Sequence, residues 1–170
     1  IICAPMTHVP RRTSILDPEY GFRRSALHNA CVLGDLEVVK QLAYAGRASV
    51  DKYGRTALHR AAAAGHVQVV RWLVSDQGGY DTAATAHNGR NALHEAVVGG
   101  HLHVVRELLL AHGAPHERER ALALARARDE DGSDAVMLCA KAKRLAVLQW
   151  LVLEKGLSPD VADDTGATPL

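Results

Sequence analysis

Aromatic side chains are scarce in this chain: 170 residues include only two tryptophans, four tyrosines and one phenylalanine. Sandwiches and barrels fill their interiors with large rings and β-branched residues, so the shortage argues against both. Cysteine is scarce as well, and Cys3, Cys31 and Cys139 are odd in number, without the spacing of a disulfide framework or a zinc site. An excess of one charge is missing too. Twenty Lys and Arg face nineteen Asp and Glu, a net charge of +1, which does not fit a nucleic-acid or membrane-surface binder. No apolar run approaches the ~20 residues that cross a bilayer, and Ile1 to Pro10 lacks the basic-then-apolar form of a secretion signal. The expected setting is cytoplasmic or nuclear, with no direct membrane insertion and a monomer by default. The chain starts without methionine and stops inside a motif, as a fragment of a longer protein does.

Catalytic signatures are absent in the same way. The sequence has no phosphate loop and no Gly-x-Ser-x-Gly, and His94-Glu95 is followed by Ala-Val rather than by a histidine four positions on. Ten histidines invite a metal reading, but His101 and His103, two apart on a helix, face different directions. No catalysis, cofactor or metal is expected.

What the sequence has in abundance is repetition. The stretch GRTALHRAAAAGHVQVVRWLV from Gly54 recurs upstream as RRSALHNACVLGDLEVVKQLA from Arg23 and downstream as GRNALHEAVVGGHLHVVRELL from Gly89. In each, a small polar residue (Ser25, Thr56, Asn91) suits an N-cap before a short, alanine-rich helix. Gly34, Gly65 and Gly100 fall where that helix should stop. A second helix follows, over Leu36 to Tyr44, Val67 to Ser75 and Leu102 to Ala111, with apolar residues at i, i+3 and i+4, and Gly46, Gly78 and Gly113 end it. Turn signals such as Asn88-Gly89 and Asp131-Gly132 lead to the next unit.

Leu-His-x-Ala after a small polar residue, the Gly-His or Gly-Asp step and Val-Val-x-x-Leu, at a spacing near 33, resemble the ankyrin repeat. The resemblance implies an all-α solenoid of stacked helix-turn-helix units joined by β-hairpin-like connecting loops, or fingers. Residues 1–20 are then an N-terminal arm or the remnant of a preceding repeat. Units of about 21–52, 53–88, 89–131 and 132–164 follow, with the start of a fifth at 165–170. Arg11-Arg12-Thr13-Ser14 in the arm resembles a basophilic kinase site, a pattern short enough to arise by chance.

The first finger is short by about two residues. Gly113 to Gly132 spans nineteen positions where about ten are expected, and the surplus Pro115 to Arg128 has the composition of a helical excursion. In the fourth unit Val136-Met137 replace Leu-His and Lys143-Arg144 replace Gly-His, so that turn must close without glycine. Cys31 takes an alanine slot of an inner helix and should be buried and reduced.

In the resembled family His28, His59 and His94 hydrogen-bond neighbouring connections, and partners are held by the fingers and the exposed edge of the inner helices. Carried over position by position, this selects Arg24, Arg55 and Arg90 (then Ser133) before the cap, and Asn29, Arg60 and Glu95 (then Leu138) after the histidine. Lys52, Tyr53, His87, Asn88 and the acidic tip Asp129 to Asp131 complete the edge. The implied role is a non-catalytic protein-interaction module or scaffold, and the arginines would suit a partner with an acidic segment. Two alternatives stand beside it. The arginines pair locally with Asp51 and other acids, or the chain is the regulatory or targeting region of a larger enzyme, such as a kinase or ubiquitin ligase.

Overall fold

The computed structural model describes residues 26–46, 49–110, 115–159 and 162–168. The expected N-terminal arm, Arg24, the cap Ser25, Gly113 and the last two residues of the expected fifth unit lie outside them. Among the described residues there are nine helices and no strand: α1 (Ala26–Leu33), α2 (Leu36–Gly46), α3 (Ala57–Ala64), α4 (Val67–Val74), α5 (Ala92–Gly99), α6 (Leu102–Leu110), α7 (Pro115–Arg126), α8 (Ala135–Lys141) and α9 (Leu145–Leu153). The fingers make a single β-bridge, Thr85 to Asn91, and are otherwise hairpin-like turns.

Helix pairs stack side by side. The inner row runs α1, α3, α5, α8 and the outer row α2, α4, α6, α9, each helix touching the next in its row and its partner across the unit. Leu27, Leu58 and Leu93 occupy the same slot and are all buried, as are Val39, Val70, Val105 and Leu73, Leu108, Leu151 of the outer helices. Each such side chain contributes roughly 1.5–3 kcal/mol of burial. Alanines carry the close approach: Ala57, Ala61 and Ala62 of α3 are fully buried between α1 and α5. Cys31 and Cys139 are buried free thiols in the same rows, and burial pushes each thiol up to about 12.

Inner helices α3 and α5 start by a reciprocal cap in which histidine does what glutamate does in a capping box. Asn91 Oδ1 accepts from the His94 backbone N–H at 3.0 Å, and the Asn91 N–H donates back to His94 Nδ1 at 3.3 Å. The Thr56 N–H donates to His59 Nδ1 at the same distance, 3.3 Å. They stop at glycine. Gly65 stands at φ 82 and Gly100 at φ 78, their N–H groups turned back onto carbonyls of the last turn. A second constraint acts there: a Cβ on Gly65 would fall 2.6 Å from His101 Nδ1 of the following unit, because that ring lies over the glycine. The outer helices stop differently from expectation. Gly46 is the last residue of α2, but α4 ends at Val74 with Ser75 as its cap, and Gly78 lies beyond it.

The surplus between the third and fourth units is helical as expected, but it is not a loop excursion. Helix α7 packs on α5, α6 and α8 and buries Ala121, Leu124 and Ala125, an i, i+3, i+4 face. In the degenerate fourth unit Lys143 takes the glycine's left-handed conformation at φ 57, the one non-glycine residue among those described to do so.

Candidate partner-binding edge

Four finger turns are built alike. In each, two backbone bonds close the loop: Gly54 N–H to Asp51 O and Asp51 N–H to Arg55 O, both 2.9 Å, with counterparts at 86–90, 129–133 and 163–167. Aspartate three residues before the glycine then locks the turn. Asp51 Oδ1 accepts from the Tyr53 and Arg55 N–H groups at 2.9 and 3.0 Å. Asp129 Oδ1 accepts from Asp131 and Ser133 at 3.1 and 2.9 Å. Asp163 Oδ1 accepts from Thr165 and Ala167 at 3.0 Å each. The second finger has Ala86 in that place, and Asn88 Oδ1 accepts the Arg90 N–H at 3.2 Å instead.

A cation covers the other oxygen of each aspartate. Arg55 Nε and Nη2 reach Asp51 Oδ2 at 2.9 and 2.8 Å. Arg90, with Ala86 at the aspartate position of its own turn, crosses to Asp129 Oδ2 of the next at 3.1 Å. Lys141 Nζ joins Asp163 Oδ2 and Ser133 Oγ, 2.8 Å each. Its hydrogen bond holds the Asp163 carboxyl below the usual carboxylate range. Arg55 and Arg90 are therefore equivalent and adjacent, but both are half-buried and engaged by acids of the chain. For Arg55 the partner is the Asp51 that the local-pairing alternative named.

Adjacent fingers are joined by backbone bonds. His87 N–H donates to Tyr53 O at 2.8 Å, Glu130 N–H to Asn88 O at 3.1 Å and Asp164 N–H to Asp131 O at 3.4 Å. Histidines add rungs behind them: His28 Nε2 donates to Arg55 O at 3.1 Å and His59 Nε2 to Arg90 O at 3.0 Å. His94 does not follow. Helix α7 occupies the space before the next finger, and His94 Nε2 is buried without a well-formed hydrogen bond, facing the Ala127 carbonyl. Burial lowers the imidazole pKa of His28 and His59, and takes His94 down to about 4.

The remaining candidates distribute as follows. Lys52 is half-buried, and Tyr53, His87 and Asn88 are exposed at the tips. Lys52 Nζ and Arg55 Cζ each stand 4.7 Å from the Tyr53 ring centroid. Asn29, Arg60 and Glu95 are half-buried along the inner helices, whereas Ser133 and Leu138 are buried, so those two positions drop out of the edge in the fourth unit.

On the opposite side, at the turns between paired helices, the histidines that repeat at 66 and 101 build a second ladder. His66 Nε2 donates to Val32 O at 2.8 Å and His101 Nε2 to Ala63 O at 3.0 Å. Arg144, standing where the histidine should be, delivers Nε to Val98 O at 3.0 Å. His103 is likewise committed, to Gly65 O at 2.8 Å. Among the described residues no three His, Cys, Asp or Glu side chains converge on a metal-sized site, and no helix is long and apolar enough to cross a membrane.

Stacked helix pairs carrying a bonded row of fingers define a repeat solenoid. The family described as ankyrin repeats (three copies) matches residues 9–86 and 77–163, and the chain belongs to the ankyrin-repeat family. Its members are in general protein-protein interaction modules. No curated protein matches the chain.

Proposed function

We propose that the chain is a non-catalytic protein-interaction module, a scaffold that holds a partner along the fingers and the adjoining edge of the inner helices. The observation that carries this is the finger row itself. Aspartate locks, cross-finger backbone bonds and histidine rungs fix its backbone, while Tyr53, His87 and Asn88 stay exposed on it. A surface pre-ordered in this way loses little conformational entropy on binding. Tyr53, with two cations each 4.7 Å from its ring centroid, is an aromatic anchor of the kind that dominates interface energies.

The Arg55 and Arg90 guanidiniums, with unused donors beside their aspartates, offer an acidic segment further hydrogen bonds. Exposed pairs of this type add only about 0.2–1 kcal/mol each, so the aromatic and the tips matter more. The test compares proteins captured from cell extract by the immobilised chain, by a Tyr53→Ala/His87→Ala variant and by an outer-helix control, Gln68→Ala. Partners lost only with the tip variant, at unchanged circular dichroism, support the reading. Equal capture by all three overturns it.

A further inference from the structure

Each finger closes on a glycine, and the residue before it stands at the tip. Tyr53 and Thr165 hold that place in the first and fourth fingers, Asn88 and Asp131 in the second and third. Of the four, only the second puts a side-chain amide next to the glycine. Asn88 is exposed, and its amide carbon lies within ring-closing reach of the following nitrogen, which in glycine no side chain shields. The fold enforces that glycine: Gly89 stands at φ 72, and a Cβ on it would fall 3.0 Å from the Glu130 nitrogen of the third finger. The other asparagines lack such a neighbour. Asn29 precedes Ala30 inside α1, and Asn91 precedes Ala92 with its side chain bonded at both ends, to the His94 N–H and the Leu124 carbonyl. Asp131 has the glycine but presents a carboxylate, whose charge repels a nucleophile.

What restrains Asn88 is hydrogen bonding, and there is less of it than in the neighbouring fingers. The Gly89 N–H donates to Ala86 O at 3.0 Å, and Asn88 Oδ1 accepts from the Arg90 N–H at 3.2 Å. The aspartate whose Oδ1 holds two N–H groups in each of the other three fingers is replaced here by Ala86. The side chain that locks this turn is therefore the reactive one.

We propose that Asn88 is a site of spontaneous modification, paced by the second finger. When both bonds open, the Gly89 nitrogen attacks Asn88 Cγ and gives up its proton; the Cγ–Nδ2 bond breaks, and ammonia leaves with that proton. Water then opens the cyclic imide at either carbonyl. Addition at Cγ gives aspartate, which keeps the path of the chain and an acceptor for the Arg90 N–H. Addition at the main-chain carbon gives isoaspartate, which routes the chain through Cβ and Cγ. The carbonyl that accepts the Glu130 N–H at 3.1 Å then leaves the main chain, and the bond between the second and third tips loses its register. Either product makes a neutral tip acidic, and only isoaspartate distorts the turn. The chemistry does not depend on what the fingers bind.

The experiment incubates the folded chain at mildly alkaline pH beside a sample unfolded in guanidinium, and follows each asparagine by peptide mapping. Electron-transfer fragmentation separates aspartate from isoaspartate. Conversion in the folded chain should fall on Asn88 and spare Asn29 and Asn91. It should run about thirtyfold slower than in the unfolded chain, which corresponds to opening two net hydrogen bonds. Asn88→Asp should unfold at the same guanidinium concentration as the fresh protein, whereas aged protein carrying isoaspartate should unfold at a lower one. Equal rates in the folded and unfolded samples would overturn the pacing. Conversion of Asn29 or Asn91 in step with Asn88, or an intact Asn88 in the folded chain after about a hundred unfolded half-lives, would overturn the site itself. Aged protein as stable as Asn88→Asp would overturn the loss of register.

Discussion

Gly65 and His101 should be energetically coupled across two units, and a double-mutant cycle measures it. Gly65→Ala places a side chain on a residue at φ 82, which costs about 1–2 kcal/mol for the left-handed conformation alone. The new Cβ would also lie 2.6 Å from His101 Nδ1, so the ring must swing away and lose its bond to Ala63 O, about 1 kcal/mol more. The expected total is about 2–3 kcal/mol. His101→Ala alone loses the carbonyl bond and costs about 1 kcal/mol. In the double variant the collision has no object, so the combined loss stays near that of Gly65→Ala, a coupling of about 1 kcal/mol. Guanidinium unfolding followed by far-UV circular dichroism measures each loss. Trp72 and Trp150 fluorescence, from α4 and α9, checks that the second and fourth helix pairs unfold together. Strictly additive losses would refute the interlock.

Lys143→Gly should stabilise the fold by about 0.5 kcal/mol, since relief of the strained φ 57 outweighs glycine's greater freedom when unfolded; a loss of stability in the same unfolding assay would contradict this. His59→Phe should cost about 2–4 kcal/mol, because it strips hydrogen bonds from Arg90 O and Thr56 N in a buried site. His94→Phe should cost about 1–2 kcal/mol, for its Nε2 has no well-formed bond to lose, and equal losses would show that α7 does not interrupt the ladder. Stability should fall as pH drops from 6.5 towards 4. The buried imidazoles stay neutral in the fold while the unfolded chain takes up protons, and His94, at about 4 against 6.5, accounts for about 3 kcal/mol of that fall. His28 and His59, also lowered, act in the same direction. As pH falls through the ordinary carboxylate range Glu107, held low by its hydrogen bond from Arg71, begins to lose its contribution as well. Denaturation midpoints across this range test it, and a flat profile between pH 7 and 5 would count against it.

The repeated Ala-Leu-His, glycine and Val-Val-x-x-Leu positions made the helix pairs legible, because each serves a local need that recurs with the period. The Arg55–Asp51 pair was among the alternatives the sequence offered, but the partner of Arg90 was not legible, since it depends on what the neighbouring finger offers. Arg55 and Arg90 look equivalent in sequence, yet Ala86 stands where Asp51 stands one unit earlier, and that single difference sends Arg90 to Asp129. The turn-locking aspartates had a readable signal, an Asp three residues before Gly54, Gly132 and Gly166. So did α7: its buried Ala121, Leu124 and Ala125 share one helical face. Arg144 was hidden by residue type. Arginine and histidine differ in shape, but both can bring an N–H to the same carbonyl, and the ladder needs only the donor.

The interface that α7 alters shows how a repeat array tolerates an insertion. Where His94 loses its acceptor in the next finger, Asn91 Nδ2 donates to Leu124 O of α7 at 3.1 Å, so the inserted helix supplies an acceptor of its own. Arg90 bridges the second and third fingers at the same level, and the tips still meet through Glu130 and Asn88. Fewer than usual of these bonds come from the repeated histidine, yet the row stays continuous on both sides of the insertion.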